Sequence, residues 1–74
     1  MRFNILETVH IPTTDYSVVL AYIENGYCKY VTWIKNGNSY NFGHYFIDQN
    51  QAWQDFLERC IKELQIVLRA TTEQ

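Results

Sequence analysis

Two imidazoles and two thiols, on His10, Cys28, His44 and Cys60, are the side chains here best suited to metal binding or nucleophilic chemistry. Together they make the donor set of a structural zinc site. Such sites usually arise from two close pairs, of the C-x2-C and H-x3-H kind, because each pair is preset by one tight turn or one helical turn. Here the four residues follow one another at intervals of 18, 16 and 16 positions. That spacing does not point to a metal. Small secreted folds held by disulfides carry four or more cysteines at regular spacing. Cys28 and Cys60 lack even a C-x-x-C and read as two thiols acting as small hydrophobes, unpaired in a reducing, cytosolic setting.

His44 stands within Gly43-His44-Tyr45-Phe46. A general base needs a nucleophile or substrate within hydrogen-bond reach, and no neighbour in the sequence supplies one. It reads as a histidine at the core edge, bonded to backbone. Cys60 falls where a helix would bury it, which disfavours the thiolate. The chain holds no G-x-S-x-G, P-loop or G-x-G-x-x-G, and its carboxylates are scattered. The expectation is a non-enzymatic chain with no cofactor and no metal.

Two turn signals organise the elements that would position these groups. Asn25-Gly26 lies between runs rich in Val, Ile, Tyr, Thr and Trp, and Asn36-Gly37-Asn38-Ser39 repeats the signal before Tyr40. Asn-Gly between such runs marks a hairpin, since a type I′ turn needs positive φ at both central positions. Strands are expected at 16–24, 27–35 and 40–47. Residues 1–11 alternate Phe3, Ile5, Val9 and Ile11 with polar positions, which suggests a fourth strand turning through Pro12-Thr13-Thr14-Asp15. A short helix built on Ile5, Leu6 and Val9 is the competing reading.

Trp53, Phe56, Leu57, Cys60, Ile61, Leu64 and Leu68 then recur at helical period, predicting an amphipathic helix over 51–70 with Asp48 or Asn50 as its cap. Its solvated face would carry an i,i+4 Glu58–Lys62 pair. Ala70–Gln74 is expected to fray. The fold class is therefore α+β: a three- to four-stranded antiparallel β-meander with one long C-terminal amphipathic helix packed on one face, in a single domain spanning 1–74.

A two-residue loop at Asn25-Gly26 sets a register in which Leu20 faces Val31 and Val18 faces Trp33. Period-2 alternation then sorts the sheet into two faces. One gathers Val18, Leu20, Tyr22, Val31, Trp33, Phe42, His44 and Phe46 and should receive the helix. The other carries Val19, Ile23, Tyr30, Ile34, Tyr45 and Ile47 with nothing left to cover them. One open sheet face is normally polar, and this one is only half so.

The whole chain has a net charge of −2 and is 47% hydrophobic, 16% aromatic and 19% charged. That is the reverse of a disordered composition and offers no general attraction to phosphate backbones or anionic membranes. No apolar run nears the length of a membrane span. A meander followed by a helix is also the order of a double-stranded-RNA-binding domain. That family's second helix opens on a basic cluster, whereas this one opens on Asp48-Gln49-Asn50-Gln51, and the chain is not read as a member.

The function expected is thus a small binding or regulatory module. It would act by protein–protein contact through the Tyr30/Tyr45 face, together with Ile34, Val19, Ile23 and Ile47, either on another protein or as a homodimer. One alternative is a small accessory or inhibitor protein of a mobile element that docks on a larger host protein. The other is a single-stranded nucleic-acid binder stacking bases on Tyr30 and Tyr45, with the low charge counting against it.

Overall fold

The structure, a computed structural model, describes residues 2–72. Four strands, β1 (Phe3–His10), β2 (Tyr16–Ile23), β3 (Tyr30–Asn36) and β4 (Ser39–Phe46), form one antiparallel sheet in the order β1-β2-β3-β4, and α1 (Gln49–Thr72) packs across it. The expected α+β architecture is observed, with residues 3–10 as strand rather than helix. Of the tail expected to fray, Ala70–Thr72 is helical, while Glu73 and Gln74, like Met1, lie outside the described residues. Asp48 caps α1, its Oδ1 accepting the Asn50 N–H at 3.1 Å and its carbonyl the Ala52 N–H. Glu58 takes its hydrogen bond from Gln54 at 3.0 Å, not from Lys62.

The register between β2 and β3 differs from the expected one by one residue. Asn25 takes positive φ (62°) but Gly26 does not, so no type I′ turn forms. The loop lengthens, and the Ile23 N–H donates to the Lys29 carbonyl at 2.8 Å. Leu20 consequently faces Thr32, Val18 faces Ile34 and Val19 faces Trp33. A one-residue slip moves a strand's whole side-chain set to the other face. Tyr30, Thr32 and Ile34 therefore lie beneath the helix, and Val31 and Trp33 beyond it.

In β4 a bulge undoes the slip. Phe42 and Gly43 together oppose Trp33, so Thr32 pairs with His44 and Tyr30 with Phe46. His44 and Phe46 return to the helix side, where the sequence had placed them. The second turn holds the expected Lys35–Tyr40 pair, with Gly37 at φ 60°. β1 also carries a bulge, between Ile5 and Glu7. It leaves Val9 on the helix side and turns Phe3 and Ile5 to the far face.

Two cores result. Beneath α1, Ile11, Val18 and Leu20 meet Ala52, Phe56 and Cys60, flanked by Tyr30, Ile34, Phe46, Trp53 and Val67. On the far face Val19, Ala21, Ile23, Val31 and Trp33 are buried without a helix over them. Their cover is aromatic: Phe3 stands edge-on to Trp33 at 5.1 Å and to Tyr40 at 5.5 Å, and Tyr40 lies 4.9 Å from Trp33. This face closes over itself with its own rings.

The helix also outruns the sheet. Its 24 residues span about 36 Å at 1.5 Å each. Strands of 7 to 8 residues reach only about 26 Å. Val67 is the last helical residue packed on the core.

Candidate functional site

The densest polar constellation joins α1 to β3 and β4. Arg59 donates through Nη1 to the Thr32 carbonyl and hydroxyl, both at 3.2 Å. Through Nη2 it donates to the Phe42 carbonyl at 2.6 Å and His44 Nε2 at 3.1 Å. Arginine has only donors, so Nε2 accepts and the ring proton sits on Nδ1, facing the Asp55 carboxylate at 3.1 Å. The buried Thr32 hydroxyl donates to Asp55 Oδ2 at 2.5 Å. Burial pulls the Arg59 guanidinium below its usual value, opposed by the charges of Asp55 and Glu63.

An Asp–His pair is the orienting half of a nucleophile-activating triad. Here the third position is held by a guanidinium. What the arrangement does chemically is clamp: a helix residue holds the carbonyl of a bulged strand residue, with a carboxylate balancing the charge. Sequence reasoning missed it. Neither Asp55 nor Arg59 belongs to the apolar stripe, and period-2 alternation put Thr32 on the face expected to stay open. Their i,i+4 spacing beside Phe56 was the available signal.

Phe42, held by that clamp, has φ 56° and is 76% exposed. For a bulky residue this is an outlier, costing roughly 1–3 kcal/mol. It flanks an open cleft of about 570 Å3, lined also by Tyr16, Ile34, His44, Arg59 and Lys62. Tyr16 closes one side by donating to Glu63 at 2.9 Å, a bond that raises the Tyr16 pKa. The Arg59 donors point inward and Glu63 offsets Lys62, so the cleft presents no concentrated charge.

The six residues expected to form one sheet-face surface do not share a face. Tyr30 and Ile34 pack under α1, with Tyr30 edge-on to Tyr22 at 5.6 Å. Val19 and Ile23 are buried in the far-face core. Tyr45 and Ile47 alone stay exposed. The register slip is the cause, and it also parts Tyr30 from Tyr45 as a base-stacking pair. His10 bonds the Thr14 carbonyl at 2.9 Å rather than approaching His44 or the cysteines, and both thiols are free. Among the described residues, no helix is long and apolar enough to cross a membrane.

The helix carries a further, regularly spaced set of exposed apolar side chains. With Phe56 aimed at the sheet, 3.6 residues per turn puts Arg59 and Asp55 about 60° and 100° to one side. Leu57, Leu64, Leu68 and Ile61 fall about 80–140° to the other. The first flank meets β3 and β4, so the second points past β2 toward the β1 side. Leu57, Ile61, Leu64 and Leu68 are 52%, 56%, 40% and 63% exposed. They belong to the stripe expected to face the sheet, of which only Trp53, Phe56 and Cys60 meet the core, joined there by Ala52 and Val67 from outside the stripe. The apolar arc is wider than one sheet face can cover.

No family model, curated protein or solved structure matches the chain.

Proposed function

We propose that this chain is a non-enzymatic binding module that acts by protein–protein contact through the outer flank of α1. One observation carries the reading: Leu57, Ile61, Leu64 and Leu68 stand exposed in a continuous row on a helix whose opposite side is packed and clamped. Single exposed apolar residues are ordinary, whereas contiguous apolar patches rimmed by polar residues mark interfaces. Both edge strands are bulged, at Ile5/Glu7 and at Phe42-Gly43, a device that discourages edge-to-edge pairing. The far face is roofed by Phe3, Trp33 and Tyr40. The helix flank offers four exposed apolar side chains in one regular row.

A photoreactive amino acid placed at 61 or 64 and irradiated in the chain's own host cells should give a discrete crosslinked species. The same group at position 54, on the polar side of α1, should not. No product from 61 or 64 defeats the reading.

A further inference from the structure

We infer that the occupant of this flank is a second copy of the chain, its helix running antiparallel; this rests on the reading of the flank as an interface. The intervals within the row are 4, 3 and 4 residues, the a/d alternation by which two helices interlock. The series reads the same in both directions. A two-fold reversal about the point between 61 and 64 therefore sets Leu57 against the partner's Leu68 and Ile61 against the partner's Leu64. An isologous interface requires that self-complementarity.

Charge fixes the direction. Glu58 and Arg69 each follow the residue at one end of the row, and helical periodicity puts both on its solvent-side border, about 90–110° from the row's centre. In an antiparallel pair that border faces the same border of the other helix, so each Glu58 comes within about 3 Å along the axis of the partner's Arg69. Two symmetric acid–base pairs then close the apolar row. Opposed macrodipoles favour the same order.

Between Leu57 and Leu68 the row extends about 17 Å. A row of that length, one side chain wide, buries less than the roughly 800 Å2 per partner of a standard stable interface, so the dimer is expected to be weak, dissociating on the order of micromolar concentration.

Sedimentation equilibrium of the purified chain, from about 1 µM to 1 mM, tests the pairing. A monomer–dimer equilibrium is expected, with Ile61→Asp monomeric yet unchanged in far-UV circular dichroism. Glu58→Lys or Arg69→Glu alone should weaken dimerisation at least tenfold at low salt, and the two together should restore it. A chain monomeric to 1 mM overturns the pairing, as does a dimer indifferent to Ile61→Asp. A dimer that Ile61→Asp abolishes but the charge swap does not rescue overturns the antiparallel order. These failures are separable from failure of the interface reading itself. A monomer that still crosslinks at 61 or 64 to another protein loses the inference and keeps the reading; no crosslink at either position removes both.

Discussion

The Arg59 guanidinium donates to the carbonyl oxygen of Phe42 at 2.6 Å, so a helix side chain holds the strand residue whose backbone is most strained. That bond, the Thr32 and Asp55 contacts beside it and the His44 ring form one unit with no unsatisfied buried side-chain polar atom. Replacing Arg59 by Met keeps most of its packing but leaves the Thr32 and Phe42 carbonyls without this donor and Asp55 without the balancing charge 3.9 Å away. Hydrogen bonds to charged groups contribute about 1.5–3 kcal/mol. A loss of about 2–3 kcal/mol is expected, which in a domain of this size lowers Tm by roughly 10–20 °C. Thermal denaturation checks it, and a fall below about 3 °C would show that the clamp does not hold the fold.

Phe42→Asn should act in the opposite direction. Asparagine visits the left-handed region far more readily than a bulky aromatic residue, and the phenyl ring removed is mostly exposed. The gain expected is about 1 kcal/mol, seen as a Tm some 4–8 °C higher. A lower Tm would mean that the ring, against its exposure, contributes more by packing than the backbone loses by strain.

How far the sequence was legible follows from two small displacements. Asn25-Gly26 marked the first hairpin correctly but not its loop length, and a single residue moved Tyr30, Thr32 and Ile34 across the sheet. The Phe42-Gly43 bulge moved β4 back, so His44 and Phe46 were placed rightly by two errors that cancelled. Bulges have no reliable mark in one sequence: here one strained residue is Phe42, where glycine would have signalled it. The helix was plain because its period repeats over seven apolar residues. Which part of that arc would be buried depended on sheet width and on Asp55 and Arg59 turning inward, and neither is a local property.

Alkaline pH should expose the Tyr16–Glu63 contact. The Tyr16 pKa is raised above its ordinary 10.0, first by its hydrogen bond to Glu63, then by burial and by the Glu63 charge. A raised folded-state pKa means the fold favours the protonated phenol. The stability it contributes is fully present below about pH 10 and disappears as pH climbs through the folded-state value. Urea midpoints at rising pH should therefore fall more steeply above pH 10 for the native chain than for Tyr16→Phe. Parallel curves would show that the contact adds nothing in solution.

The two thiols should separate under a chromogenic disulfide reagent. Cys60 lies in the helix core beside Phe56 and Ala52, and burial chiefly, with the charge of Glu7, pushes its pKa above the ordinary 9.0. The thiolate is the nucleophile, so Cys60 should react only through opening of the fold. Cys28, half-buried in the β2–β3 loop, needs no such opening. One thiol is expected to react promptly at pH 8 and the second only after urea. Two fast thiols would show that α1 detaches from the sheet on the timescale of the assay.

Gly43 tests the aromatic roof of the far face. A Cβ added there would lie 3.0 Å from Trp33 Nε1 and 3.0 Å from Tyr45 Cε2, closer than side chains ordinarily approach. The indole of Trp33 is buried against Phe3 and Tyr40 and has little room to retreat. Overpacking of this kind costs typically about 1–3 kcal/mol. Gly43→Val should therefore lower the urea midpoint and shift the Trp33 indole N–H resonance, while that of Trp53, which packs under α1 against Phe56, stays in place. An unmoved Trp33 signal would mean that the far face is looser than its low exposure implies, and that face would then return as a candidate contact surface.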